Sequence, residues 1–400
     1  MNYLSDRINL LAESETLAMT RRSRELRAQG FDVINLSIGE PDFDTPDHVK
    51  EAAKEAIDQN YSHYTPVPGY PELRQAVAHK MKRDNGLDYT AEQIVVSTGA
   101  KQSLANAVLC LVNPGEEVLI PAPYWVSYKE IIKLAGATGV FIDSSIQTDF
   151  KVTPEQVEAA ITPKTKLFMF SSPCNPSGTV YTFEELKAFA GVFERHPHVF
   201  IISDEIYENI NFTGKHHSIA CFENIHDRVI VINGLSKGFA MTGWRLGYMA
   251  ASKEIAKACD KLQGQITSGT CSITQRAAIV AMNTNPAESN DIKLMVDAFK
   301  YRRDLAISLL REVPGIKLNV PDGAFYLFPE VTYYFGKSDG SRIILSGSDL
   351  CDYLLDTAFV AIVPGAAFGS PDCIRISYAT SEDNLREAIR RISEALSKLK

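Results

Sequence analysis

No stretch of the 400-residue sequence reaches the ~18 consecutive apolar residues of a membrane-spanning helix. Its first thirty residues carry acids early, with no long apolar run ahead of a small-residue cleavage site, so no secretory leader is expected. A basic block is missing too: 41 Lys and Arg stand against 49 Asp and Glu, a net charge of -8, which offers no patch to nucleic acid or to an anionic membrane surface. The seven cysteines (Cys110, Cys174, Cys221, Cys259, Cys271, Cys351, Cys373) are odd in number and never spaced as C-x-x-C, as reduced thiols of a cytoplasmic protein would be. Zinc-type ligand spacing is lacking, and His196-x-His198 and His216-His217 lie in polar, turn-like sequence where solvated rings are expected, so no metal site is predicted. Repeats and biased tracts are absent. What remains, 45% apolar and 22% charged, describes an ordinary globular chain. It is longer than the roughly 250–300 residues that one core usually serves, which predicts two domains.

From about residue 90 to 235 short apolar runs alternate with segments of helical period, the pattern of parallel strands joined by crossover helices. The runs QIVVS (93–97), EVLI (117–120), KLFMF (166–170), VFII (199–202) and VIVI (229–232) are nearly continuous, as strands buried on both faces require. After about residue 290 come a long helical pattern (291–313), strand-like pieces GAFYLF and CIRISYA, and a charged amphipathic helix (381–399). The opening segment, with a helix (17–29) and a short strand (33–36), has too little apolar surface to stand alone. The expected division is a large α/β domain over 46–289 and a smaller α+β domain from 1–45 together with 290–400.

Open α/β sheets bind ligands beyond the carboxyl ends of their strands. The five runs end there in Gly99-Ala100-Lys101, in Pro-Ala-Pro-Tyr124-Trp125, in SSPCNPSG with Asn175, in Ser203-Asp204-Glu205-x-Tyr207, and in Asn233-Gly234-Leu235-Ser236-Lys237. Each has a plainer reading: a glycine turn for geometry, an aspartate helix cap, a core tryptophan, an asparagine turn, an exposed lysine. Together they converge on one cleft. A helix opening after Gly99 suits a phosphate, and a buried Lys237 would lose its proton and become a nucleophile toward a carbonyl.

Gly234-Leu235-Ser236-Lys237-Gly238 also spells the G-x-S-x-G elbow of serine hydrolases. That chemistry needs a histidine after the serine, and the last histidine is His226. No G-x-G-x-x-G occurs, and Gly238 to Gly243 has Walker-A glycine spacing but continues with Trp244. A non-catalytic amino-acid-binding module would need no buried lysine and is usually exported behind a signal peptide, and neither condition is expected of this sequence.

The segments NGLSKGFAMTGWRLGY, SDEIYE, SSPCNPSGT, STGAKQS and IRISYATS closely resemble, in order and spacing, fold-type-I pyridoxal-phosphate-dependent aminotransferases, in particular the bacterial aspartate aminotransferases grouped with prephenate aminotransferases. The resemblance spans essentially the whole chain. It implies a mostly parallel sheet with helices on both faces, pyridoxal 5'-phosphate as cofactor, amino and keto acids as substrates, and a homodimer with shared active sites. It implies Lys237 as the Schiff-base lysine and proton carrier, Asp204 facing the pyridine nitrogen, Asn175 and Tyr207 on the phenolic oxygen, and Trp125 stacked on the ring. The backbone of Gly99, Ala100 and Lys101, the Ser236 hydroxyl and Arg245 would hold the phosphate, joined by Tyr64 across a dimer interface. Arg375 and Gly39 would bind the substrate α-carboxylate, Arg375 with its guanidinium free to grip in a bidentate fork, with Trp125 and Asn175 beside them. Lys101 with Ser14 or Thr16 would meet a side-chain carboxylate. Aspartate and 2-oxoglutarate are the expected substrates, prephenate or an aromatic keto acid the alternative, and a lyase or decarboxylase on the same scaffold a further one. Cys174 departs from the pattern, which often carries asparagine there.

Overall fold

The computed structural model describes residues 3–400. After the helices Asp6–Asn9 and Glu15–Ala28, the first strand is the two-residue β1 (Ile34–Asn35). Seven strands then build one sheet: β2 (Ile94–Ser97), β3 (Glu117–Pro121), β4 (Thr138–Ile142), β5 (Thr165–Ser171), β6 (Phe200–Asp204), β7 (Val229–Gly234) and β8 (Gly247–Ala250). Their order is β2-β8-β7-β6-β5-β3-β4. Neighbours pair in parallel except around β8, which is antiparallel to both β7 and β2.

Because only β8 is reversed, the carboxyl ends of β2, β3, β5, β6 and β7 share one edge, and β8 starts at that same edge. The sequence reading missed β8, whose GYMA is short and follows a glycine-rich turn, and β4, whose glycine and half-exposed positions blur the apolar run. Side chains along the strands alternate between two apolar clusters, as a period of two requires. Ile94, Val96, Phe168, Ile201 and Val231 pack on one face with the helices Asp47–Asp58, Pro71–Lys80, Phe183–Arg195 and Ser272–Asn283. Val95, Val118, Leu167, Ile202 and Ile232 pack on the other with Ala100–Leu111, Ser127–Leu134 and Lys253–Ile266. The sheet is thus wrapped on both sides.

The remaining strands are β9 (Tyr326–Leu327), β10 (Val360–Ala361), β11 (Val363–Pro364) and β12 (Ile374–Ser377). β12 lies between β11 and β9, antiparallel to each, and β1 pairs in parallel with β10. A third apolar cluster joins Met19, Val33, Ile34 and Leu36 to Phe299, Leu310, Leu354, Ile376 and Leu385, which ties the opening segment to the helices Asn290–Arg311, Gly347–Ala358 and Glu382–Leu396. Tyr207 and Ile210 belong to this cluster, so the loop after β6 crosses from the large sheet to the C-terminal part.

Candidate active site

At the shared strand edge lies a cavity of about 430 Å³. Its wall includes Ser14, Thr16, Gly39, Ala100, Lys101, Trp125, Asn175, Asp204, Tyr207, Ser236, Lys237, Arg245 and Arg375. The expected residues left outside the wall are Gly99, which packs behind it, and Tyr64, which is 99% exposed.

Lys237 follows β7, and its Nζ donates to the Gly39 carbonyl at 2.5 Å. Among the described residues no acid forms an ion pair with it; Glu40 and Asp204 act on it only through space. Although part of the side chain opens to the cavity, burial brings the amine down from its ordinary 10.5 to about 8; Glu40 opposes that shift, while Arg375 and Arg245 add to it. Asp204, the last residue of β6, is 6% exposed, and burial pushes its carboxyl up to about 6. Tyr128 donates its hydroxyl to Oδ2 at 2.7 Å, and the Ile206 N–H donates to Oδ1 at 3.2 Å.

The helix Ala100–Leu111 opens on Gly99, whose φ of 87° and ψ of 156° fall in a region essentially restricted to glycine. A side chain there would also strike the Arg245 guanidinium, since a Cβ at 99 would lie 2.5 Å from Nη2. One at Gly247 would lie 2.1 Å from the Ala100 nitrogen, so two glycines let β8 and Arg245 press against the helix N-terminus. Free N–H groups, the positive end of the helix dipole and a guanidinium thereby meet at one point, an anion cradle. Arg245 is held by a bond from Nη1 to the Thr242 carbonyl at 2.8 Å, and Thr242 in turn donates to Glu40 Oε2 at 3.0 Å.

Trp125 meets Tyr128 edge to face at 5.6 Å, and the Lys101 ammonium sits 4.8 Å from the Trp125 ring centre. Burial lowers the Lys101 pKa, and repulsion from Arg245 adds to it. Tyr207 and Tyr326 share a hydroxyl–hydroxyl bond of 2.8 Å.

Arg375 differs from expectation. Its guanidinium is not free: Nη1 donates to Asn175 Oδ1 at 3.1 Å and Nη2 to the Ser37 carbonyl at 2.6 Å. Among the described residues the buried Nε has no hydrogen-bond partner, and the group stacks over Tyr326 and Phe368 at 4.5 and 4.9 Å. The reason is depth: Arg375 is 2% exposed, so its donors must find neutral acceptors inside the protein.

His216 is also corrected. It is not solvated but nearly enclosed, with Nε2 bonded to Glu205 Oε2 at 2.9 Å. Glu205, Glu208 and His216 are the one group among the described residues whose atoms could converge on a metal ion. Those atoms are already engaged: Glu205 accepts from Ser203 and Ser218 as well, and Glu208 from Lys80 and Asn85. Among the described residues no histidine lines the main cavity, so Ser236 has no general base of the hydrolase kind there.

Sequence reasoning missed Tyr128, Tyr326, Glu40 and Thr242. Their signals are long-range, since Tyr128 reads as the core face of a helix with Ile131 and Ile132, and Tyr326 as one more residue of a buried strand.

A seven-stranded sheet with one reversed strand, and a lysine cleft at its carboxyl edge, mark an enzyme of the fold-type-I transferase architecture. Residues 32–392 match the family model "Aminotransferase class I and II", and the chain belongs to that family. It is 48% identical over 395 residues, 98% of each chain, to the aspartate/prephenate aminotransferase of Cereibacter sphaeroides. It is 47% identical over 399 residues to the bifunctional aspartate aminotransferase and glutamate/aspartate-prephenate aminotransferase of Petunia hybrida, covering 99% of this chain and 83% of that one. The crystal structure of the aspartate aminotransferase from Rhizobium meliloti superposes over the whole of both chains with a TM-score of 0.96 at 41% identity.

The anion cradle tolerates no side chain at its first turn, which gives a direct test. Gly99→Ala is expected to weaken the binding of a phosphate-bearing ligand about tenfold or more, from roughly 1–3 kcal/mol of backbone strain plus a displaced Arg245. Equilibrium titration of the ligand-free protein measures it, and an affinity equal to the parent's would remove Gly99 from the cradle.

Proposed function

We propose that the chain is an aspartate aminotransferase that exchanges the amino group between L-aspartate and 2-oxoglutarate, giving oxaloacetate and L-glutamate, with pyridoxal 5'-phosphate as cofactor. The observation that carries this reading is the Lys237 amine, lowered to about 8 by burial and set across one cavity from Asp204. The names of the relatives support the substrates, and their second substrate makes prephenate an additional keto acid to test.

The residues present fit the cofactor. The helix N-terminus at Ala100 and Lys101, the Ser236 hydroxyl and Arg245 would hold its phosphate, Asp204 its ring nitrogen, Asn175 and Tyr207 its phenolic oxygen, and Trp125 its ring face. When bound, the cofactor supplies an aldehyde that condenses with amines and an electron-withdrawing ring that acidifies the substrate Cα–H. Lys237 holds and moves the proton at that carbon, a task suited to an amine that changes charge near neutral pH. Asp204, when ionised, would hold a positive charge on the ring nitrogen. Arg375 and the Gly39 backbone bind the α-carboxylate, and Lys101 with Ser14 or Thr16 binds the side-chain carboxylate. In our reading 46–289 form the cofactor domain and 1–45 with 290–400 the smaller one. The enzyme works in the cytoplasm as a homodimer, with Tyr64 extending toward the partner's phosphate site.

The test follows the lysine's titration. The unprotonated amine is the nucleophile, so at pH 7 a group titrating near 8 is reactive in about a tenth of molecules, against roughly one in three thousand for an ordinary lysine. Capture of pyridoxal phosphate by cofactor-free protein should therefore rise about tenfold per pH unit below 8 and level off above it, followed by its absorbance. Aspartate should then discharge the bound chromophore and 2-oxoglutarate restore it. A protein that takes up no cofactor would end this reading.

A further inference from the structure

We infer that Tyr128 is the positioning residue for Asp204: its hydroxyl holds one oxygen of that carboxylate and keeps the acid both aimed into the cleft and ionised. The inference rests on the proposed function, because Asp204 has a cation to hold only when a pyridinium-type ring lies opposite it.

The geometry is that of a clamped carboxylate. Tyr128 donates to Oδ2 at 2.7 Å from the helix Ser127–Leu134, and the Ile206 N–H donates to Oδ1 at 3.2 Å from Asp204's own loop. Two donors on separate elements fix both the position and the plane of the group. Tyr128 is 1% exposed, and a phenol buried that deeply keeps a hydrogen-bond partner. The groups facing the pair are few. Glu205 stands on Asp204's own loop, as does Tyr207; Lys237 comes from the loop after β7, while Cys174 and Ser171 approach Tyr128 from the end of β5.

An ionised carboxylate only accepts hydrogen bonds, so it is the form that can take the N–H of a cationic ring. Burial brings Asp204 to about 6, close enough to neutral pH for the loss of one donor to change its charge state. Tyr128 is also three residues from Trp125 and touches its ring edge, so one short segment carries both the indole wall of the cleft and the donor to its acid. Phenylalanine at 128 would keep the ring packing and delete only the donor.

The first arm uses the cofactor-free protein. The infrared band of the protonated Asp204 carboxyl, assigned by its disappearance in Asp204→Asn, is followed against pH. The expected midpoint is near 6 in the parent, about one pH unit or more higher in Tyr128→Phe, and lower when a ring-fluorinated tyrosine, a stronger donor, stands at 128. The second arm adds pyridoxal phosphate. In Tyr128→Phe its affinity should fall about tenfold, and the acid limb of the kcat/KM profile should move up with the carboxyl, with KM for aspartate nearly unchanged. An unmoved midpoint in folded Tyr128→Phe overturns the inference, as does a moved midpoint with unaltered cofactor affinity. Should Tyr128→Phe not fold, the fluorinated protein decides by whether its midpoint falls. If the parent takes up no cofactor, the proposed function fails instead, while the first arm still reports on the hydrogen bond.

Discussion

Lys237→Ala is expected to fold, to bind pyridoxal phosphate without covalent attachment, and to turn over aspartate about 10⁴-fold or more slowly. The amine has two tasks in the proposed reaction. It would hold the cofactor covalently, and it moves the proton at the substrate Cα; a positioned general base alone is worth about 10²–10⁴. No neighbour replaces it. Lys101 lies over the Trp125 ring, and the other cations lining the cavity are guanidinium groups, which do not give up a proton at working pH. Folding should survive, because the side chain makes one hydrogen bond, to the Gly39 carbonyl, and its burial disfavours the charged form. Two measurements check this: steady-state turnover, and mass analysis after borohydride treatment, which should fix the cofactor on residue 237 of the parent and on no residue of the variant. Turnover within tenfold of the parent would strip Lys237 of its role.

The sheet and the cleft were readable in the sequence for one reason. Parallel strands buried on both faces have to be continuous apolar runs, and each such run points to its own carboxyl end. Asn175, Asp204 and Lys237 all follow runs of that kind, and Trp125 and Tyr207 lie within a few residues of one. β8 escaped because a four-residue strand opening on glycine has no periodicity to detect, yet it is the reversed strand that brings Arg245 to the edge. Tyr128, Tyr326 and Glu40 escaped for a different reason: their partners are 76, 119 and 202 residues away, and nothing in their local sequence distinguishes a polar side chain that serves a site from one that does not. His216 shows the converse error. Its neighbours Lys215 and His217 are polar, so it read as solvated, whereas Glu205 meets it inside the protein and turns a surface-like motif into a buried pair. Local composition predicts burial well for strands and poorly for single polar side chains.

Arg375→Leu is expected to lower kcat/KM for aspartate by about 10²–10⁴, in line with the ~3–5 kcal/mol typical of breaking a buried, hydrogen-bonded charge pair. In the ligand-free chain this guanidinium is a buried cation whose hydrogen-bond partners are a side-chain amide and a backbone carbonyl, both neutral. Burial accordingly lowers its pKa, which means that the charged form is held at a cost. A substrate carboxylate supplies the missing negative charge, so the interaction gained on binding is large. Leucine removes that gain but also removes the cost, and the surrounding Tyr326 and Phe368 faces accept an apolar side chain. The thermal midpoint of the ligand-free variant should therefore stay within a few degrees of the parent's, while the stabilisation that a saturating dicarboxylate gives the parent should vanish. Arg375→Lys should not restore activity, because a point charge on a flexible stem cannot reproduce a planar fork stacked between two rings. Differential scanning calorimetry with and without dicarboxylate, beside steady-state kinetics, separates the two effects. A variant destabilised in both states but with unchanged kcat/KM would make Arg375 a packing residue and move the carboxylate site elsewhere in the cavity.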